Sequence, residues 1–547
     1  MRSAAVPSAA LAGLLLLSGC TGSSGGGGGD AAPVEPVTAA PDAASTLVAD
    51  TDPAASAVST SRALFTSSPV VVVAGADDEA GQLLGASAAV SLGVPLLLTT
   101  GGADDPVGDE LDRLGATDVL AVDAELPATE GRDVVSVPAT ADAVAGATGV
   151  DLGQADEVAA DGAVAAVAGL DGDAPVALVP ADGAAGEGES EGGELPEVTR
   201  AEPLEDVVVL ASGSPESLAG VATARAAGAT VTLTEGQTDP RASASVVDAL
   251  AQAQPDAVVV LGADFAGVAG LDWKTATAAS GTQLPGGGQL LFPEHFFVAL
   301  YGYPDGGALG VLGEQPLEQS ITRAEETAAQ YDALVPDRTV VPMFEIIVTV
   351  ASASAGPDGN YSTEADLETL RPYVEAAGAA GLYVVLDLQP GRTDFLTQAQ
   401  QYQSLLELPY VGLALDPEWR LQPNQVHLTQ IGQVGIDEVN QVVTWLADLT
   451  RANALPQKLL VLHQFQVRMI VDRERLDTSR DELAIMVHVD GQGSQPAKQD
   501  TWNVLHQDAP SPLYWGWKNF YDEDEPMLTP EQTIEQVLPV PELVTYQ

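Results

Sequence analysis

No tryptophan, tyrosine or histidine occurs before residue 273 of this 547-residue chain. The first half is built almost wholly from Ala, Gly, Val, Leu, Asp and Glu. It therefore lacks the rings that stack on sugars and the imidazoles that move protons near neutral pH. Chemistry is expected in the C-terminal half, and scaffold, anchor or binding roles in the N-terminal half. Cysteine is nearly absent. Cys20 stands alone, which excludes an intramolecular disulfide and any cysteine-based metal site. Positive charge is scarce too, 21 Lys+Arg against 78 Asp+Glu for a net −57. A chain this acidic is a poor partner for nucleic acid or for an anionic lipid surface. No stretch approaches the ~18 consecutive apolar residues that a membrane-spanning helix needs.

At the extreme N-terminus, Arg2 precedes the apolar stretch AALAGLLLL at 9–17, which runs into Leu17-Ser18-Gly19-Cys20. The stretch is too short to span a bilayer and suits the core of a signal peptide. Its end resembles the lipobox of bacterial lipoproteins. That resemblance implies cleavage before Cys20, a diacylglyceryl thioether on its sulfur, and attachment to the outer face of the cytoplasmic membrane through that lipid only. Residues 1–20 are thus read as a lipoprotein signal. Residues 21–62, rich in Gly, Ala, Ser and Pro, are read as a flexible tether that lifts the folded part toward the wall.

Residues 63–270 carry a duplicated pattern. One copy starts at Val70 (VVVVAGADDEAGQLLGASAAVSLGVPLLLTT) and ends at Asp123; the other starts at Val207 (VVVLASGSPESLAGVATARAAGATVTLTE) and ends at Asp264. Unbroken Val/Leu runs of four or five suit parallel strands buried on both faces, with Ala-rich helices as crossovers. A parallel αβ repeat domain is expected, with APVALVP (174–180) as a further strand and 184–203 as an acidic excursion between copies. Leu84–Thr100, with the later Leu111-Asp112-Arg113-Leu114-Gly115 and VLAVD, resembles the type 2 cell-wall-binding repeat of Gram-positive surface proteins. That family holds proteins noncovalently on anionic wall polymers, so a cell-wall polysaccharide or peptidoglycan is the implied partner. Only seven cations (Arg62, Arg113, Arg132, Arg200, Arg225, Arg241 and Lys274) lie between 21 and 292, so holding a polyanion here calls for bridging divalent ions or uncharged contacts. No Gly-x-Gly-x-x-Gly follows a strand, and no cofactor is expected.

Residues 271–292 read as a Pro/Gly linker. From 293 to 547 the rhythm becomes strand, polar strand end, helix, with candidate strands at 295–304, 340–351, 382–391, 410–419, 458–465, 482–493, 501–506 and 511–520. Eight strands alternating with helices predict a (β/α)₈ barrel, whose chemistry sits at the C-terminal strand ends. Read with period two, Gly412, Ala414, Asp416 and Glu418 share a face, as do Asp387 with Gln389 and His488 with Asp490. Glu345, Gln464, Tyr303, Trp419, Trp515 and Trp517 stand near other strand ends. Asp416-Pro417-Glu418 resembles the last part of the fourth-strand signature of family 18 glycoside hydrolases, the chitinase-like enzymes, with Gly412 and Ala414 where that signature has further acids. The resemblance implies Glu418 as general acid, Asp416 beside it, and a final-strand indole at Trp515 or Trp517.

The chemistry needs two carboxyl groups, one kept protonated and one ionised. Glu418 is the candidate acid; Asp387 or Asp490 is the second group, unless Asp416 steers a substrate amide. Tyr303, Trp419, Trp515 and Trp517 are the candidate sugar platforms, and Glu345, Gln389, Gln464 and His488 candidate polar contacts. No His-x-His or His-Glu-x-x-His spacing occurs, so a histidine orienting a carboxylate is expected rather than a metal ligand. Two classes of function follow: a lipid-anchored envelope enzyme acting on a wall glycan, or a noncatalytic surface lipoprotein whose barrel binds sugar or props up the wall-associated module.

Overall fold

The computed structural model describes residues 33–102, 105–126, 131–181, 190 and 193–547. The signal segment, the Cys20 motif and residues 21–32 lie outside these, as does most of the first part of the acidic excursion.

The duplicated half forms two four-stranded parallel sheets. One has the order Leu96–Thr99, Val70–Gly75, Asp118–Val122, Asp133–Val137; the other has Thr230–Leu233, Val207–Ala211, Ala257–Leu261, Ser45–Val48. The central Val-rich strands are buried throughout, as strands covered by helices on both faces must be. Helix Glu79–Leu92 starts where the Asp78 carboxylate accepts the Gly81 N–H at 3.0 Å and stops at Gly93, φ 73°. Its Ala and Ser side chains let helices approach closely. A Cβ on Gly220 would lie 2.7 Å from Thr60 Oγ1, in the neighbouring helix Pro53–Leu64. The copies are tied together by Thr223, whose hydroxyl bonds both the N–H and the C=O of Leu96.

Two boundaries differ from expectation. Residues 33–62 are not all tether: Ser45–Val48 adds a parallel strand to Ala257–Leu261, and Pro53–Leu64 is a helix capped by Asp52. Small residues suffice there because the opposing helices are small-faced too, so Ala54, Ala57 and Val58 are buried without large side chains. The expected linker is structured as well. Leu271–Ala279 is helical, with Trp273 beneath the Arg241 guanidinium, while Leu284, Leu291 and Phe292 join the interior of the barrel that follows. The strand expected at 174–180 is Leu178–Pro180, and it pairs with Asp156–Val158 outside both sheets.

The C-terminal region is a closed barrel of eight parallel strands: β1 His295–Gly302, β2 Thr339–Ala351, β3 Tyr383–Leu388, β4 Val411–Leu415, β5 Lys458–Gln464, β6 Leu483–Val489, β7 Tyr514–Asn519 and β8 Leu543–Tyr546. Strand β1 pairs with both β2 and β8, which closes the ring. The fold is therefore α/β, a parallel αβ repeat region followed by a (β/α)₈ barrel. One expected strand is wrong. TWNVLH at 501–506 ends helix Gln495–His506, which buries Lys498, Trp502 and Leu505 at helical spacing. The eighth strand is instead LVTY, at the chain's end.

Candidate active site

The barrel interior is filled by inward residues in alternation, among them Phe297 and Ala299 (β1), Val341 and Met343 (β2), Tyr383 and Val385 (β3), Ala414 (β4), Leu459 and Val461 (β5), Ala484 and Met486 (β6) and Leu543 (β8). Two residues further along the same face, the side chains turn polar: Tyr301, Glu345, Asp387, Asp416, His463, His488 and Thr545, with Lys518 following Gly516 on β7. Each strand thus ends its inner face on a hydrogen-bonding or ionisable group.

His463 is the hub. Its Nδ1 lies 2.9 Å from Asp490 Oδ2 and its Nε2 2.7 Å from Glu345 Oε1. With a carboxylate at each nitrogen, both nitrogens must donate, and the ring is an imidazolium. Burial opposes that charge, but Glu345 and Asp490 outweigh it and hold the ring well above its ordinary value. In return, Glu345 falls to about 2 despite complete burial, because the His463 charge and hydrogen bond exceed the desolvation cost. Asp490 is also lowered against burial, chiefly by its His463 bond. Its other oxygen, Oδ1, is buried with no protein partner. His488 faces the opposite outcome. Burial lowers it to about 3, so the ring is neutral, with Nε2 3.0 Å from the Thr545 hydroxyl.

The remaining carboxyl groups are pushed upward. Burial, opposed by His463 and reinforced by Glu345, brings Asp387 to about 6; the Tyr301 hydroxyl donates to its Oδ2 at 3.0 Å. Burial also raises Asp416 well above its ordinary range, with Asp387, Asp490 and Glu418 adding repulsion against His463. Glu418 reaches about 7 through burial and the charge of Asp490, with Lys518 and His463 opposing. The turn that carries Glu418 is written in Asp-Pro-Glu. The Asp416 side chain accepts the Glu418 N–H at 3.0 Å, and Pro417 opens the short 3₁₀ turn Pro417–Trp419. Pro417 is therefore a turn residue, with its ring locking φ where the turn requires it.

Above this floor lies a cavity of about 710 Å³, lined by Gln389, Asp416, Glu418, Trp419, Asp490 and Lys518 among others. Such a volume falls in the range of about 300–1,000 Å³ usual for small-ligand sites. Five of the residues singled out in the sequence thus meet in one wall: Asp416, Glu418, Gln389, Trp419 and Asp490. Glu345, Asp387 and His488 lie beneath it, fully buried.

Four expectations are corrected. Trp515 and Trp517 do not face the cavity; they pack in the outer layer against Trp502, and Trp515 stacks on His506. They have the wrong parity, since Gly516 and Lys518 take the inner face of β7. Gln464, one residue past His463, points outward to Arg473. Tyr303 lies beyond Gly302, whose φ of 150° breaks the strand's alternation, and it is not in the wall. Tyr301, Lys518 and Thr545 were not singled out in the sequence. Period two counted from the hydrophobic inner residues would have found the first two.

Glu345, His463 and His488 offer ligand atoms within 4.8 Å of one another, a spacing a metal ion could bridge. Both nitrogens of His463 are already bonded to carboxylates, which fits an ion-pair network better than a ligand set. Among the described residues no helix is long and apolar enough to cross a membrane.

No family model matches the chain, and no curated protein is similar to it. Among solved structures it is similar to Cwp6 from Clostridium difficile, at 13% identity and a TM-score of 0.33. That match covers 64% of this chain and 63% of the other, less than two thirds of each. A likeness of that size carries no argument about activity.

Proposed function

We propose that the barrel hydrolyses a glycan of the bacterial cell envelope, with Glu418 as general acid and Asp490 as its ionised counterpart. The observation that carries this reading is the pair's placement: two carboxyl groups line one cavity and are driven in opposite directions, Glu418 up to about 7 and Asp490 down. Divergent environments of this kind mark an acid and a base. Glu418 would deliver its proton to the leaving glycosidic oxygen. Asp490, with Oδ2 held by His463 and its side chain in the cavity wall, would activate water or attack the anomeric carbon. Asp416, which burial raises, lines the same wall, and Trp419 offers a sugar-stacking ring there.

The location follows from the lipobox-like Leu17–Cys20, and the wall partner from the repeat resemblance at Leu84–Thr100. Together they give a lipid-tethered surface protein that meets its glycan in the wall. Incubation with purified wall polysaccharides and peptidoglycan, with products read by mass spectrometry, tests the enzymatic part. Cleavage by the native chain and its loss in Glu418→Gln is expected. No cleavage of any glycan would leave a noncatalytic sugar-binding lipoprotein. Separately, labelling cells with a radioactive fatty acid should mark the native chain and not Cys20→Ala; an unlabelled native chain, or equal label on both, would refute the lipid anchor.

A further inference from the structure

The chain has four lysines, and three have evident oxygen partners. Lys274 pairs with Asp481 at 2.6 Å and Lys498 with Asp524 at 2.5 Å, while Lys458 donates to the carbonyls of Leu408 and Val411. Lys518 is the exception. It is 3% exposed, lines the cavity, and has no carboxylate within 4.0 Å among the described residues. Its ammonium sits 3.4 Å from the centroid of the Tyr301 ring, which attracts a cation but supplies no counter-charge. A cation this buried is normally paired, since an isolated one bears the full cost of desolvation. Glu345, Asp387, Glu418 and Asp490 all feel the Lys518 charge, yet none of them makes a hydrogen bond or ion pair with it. Glu345 and Asp490 are each bonded to His463, and Asp387 accepts from Tyr301.

We propose that the cavity takes a glycan bearing a carboxylate, and that Lys518 is the group that receives that charge. This inference rests on the glycan reading above and names its substrate class. One ammonium with no contacting oxygen leaves room for one charge-assisted contact from a ligand. A phosphate monoester, close to a dianion near neutral pH, would leave an excess beside Asp490. Gln389, Gln492 and Thr501, also in the wall, supply neutral donors and acceptors for the sugar hydroxyls.

The test uses Glu418→Gln, so that binding is read without turnover. Two probe pairs serve, a glucuronate-containing disaccharide and a lactyl-bearing amino-sugar disaccharide, each as the free carboxylate and as its primary carboxamide. Calorimetry should show at least one carboxylate bound about tenfold more tightly than its amide, the gain of one charge-assisted contact. Adding Lys518→Met should bring the two forms to equal affinity. Equal binding of carboxylate and amide in both pairs by Glu418→Gln would overturn the proposal without recourse to the second variant. A preference that survives Lys518→Met would overturn the role of this lysine. The outcome is separable from the hydrolase reading: a chain that cleaves nothing yet prefers the carboxylate keeps this subsite and loses the enzyme.

Discussion

His463 holds two carboxylates at once, and its removal isolates both. In His463→Gln, Glu345 remains fully buried and loses its bonded counter-charge, keeping only that of Lys518, which makes no ion pair with it; breaking a buried pair on one side costs about 3–5 kcal/mol. Urea unfolding at neutral pH should show that loss, and a change of less than about 1 kcal/mol, as for an exposed pair, would contradict the imidazolium bridge. The pH dependence has a definite sign. Glu345, lowered from 4.5 to about 2, contributes stability above its ordinary value and loses it as pH falls toward 2. His463, raised well above 6.5, contributes below that value and loses its share only as pH climbs through the raised one. The bridge is whole between those limits. Asp416 and Glu418 were legible in the sequence because small, inward Gly412 and Ala414 set the parity that both acids share. The His463 bridge was not, since Glu345 lies 118 residues away on another strand, and no local spacing encodes that meeting.

Strand β7 shows how a strong local cue misleads. The cluster Trp515-Gly516-Trp517 invites a sugar platform, yet the barrel's alternation turns both indoles toward helix Gln495–His506 and sends Lys518 inward. Trp517 is fully buried, with its N–H on Asn519 Oδ1. Trp517→Ala should therefore lower stability by about 3–5 kcal/mol, seen as a drop in Tm, while sugar affinity measured below that temperature stays as in the native chain. Loss of affinity without loss of stability would contradict the outward placement. The eighth strand escaped the sequence for a related reason. LVTY has four residues, too few for a periodic signal, whereas TWNVLH carries apolar positions that suit a strand or a helix equally. Strands β1 to β7 were each expected from the runs that overlap them.

Over the whole molecule, negative charge dominates and the few cations of the repeat region are engaged. Arg62 and Arg113 converge on buried Glu110; Arg132, Arg200 and Arg241 pair with Asp112, Asp173 and Asp239; Arg225 bonds the Leu170 carbonyl. Lys274 reaches across to Asp481 in the barrel region, which ties the two parts of the chain. Little free positive charge remains for an anionic wall polymer. Co-sedimentation with isolated walls should accordingly depend on divalent cations and fail in chelator; binding that persists in chelator but falls with added salt would show direct cationic contacts instead. The two αβ copies were plain from their Val-rich strands. The ordering of 33–62 was not, because its helix and strand gain burial from small side chains in small-faced neighbours, which a composition reading takes for tether.

The most direct measurement is kcat/KM against pH for the native chain and Glu418→Gln on a glycan that the native chain cleaves. With Glu418 as the acid at about 7, native activity should fall on the alkaline side of that value as the carboxyl loses its proton. Glu418→Gln should lose about 10²–10⁴-fold and the alkaline limb with it. Equal rates in the two proteins, or an unchanged limb in the variant, would remove Glu418 from the chemistry.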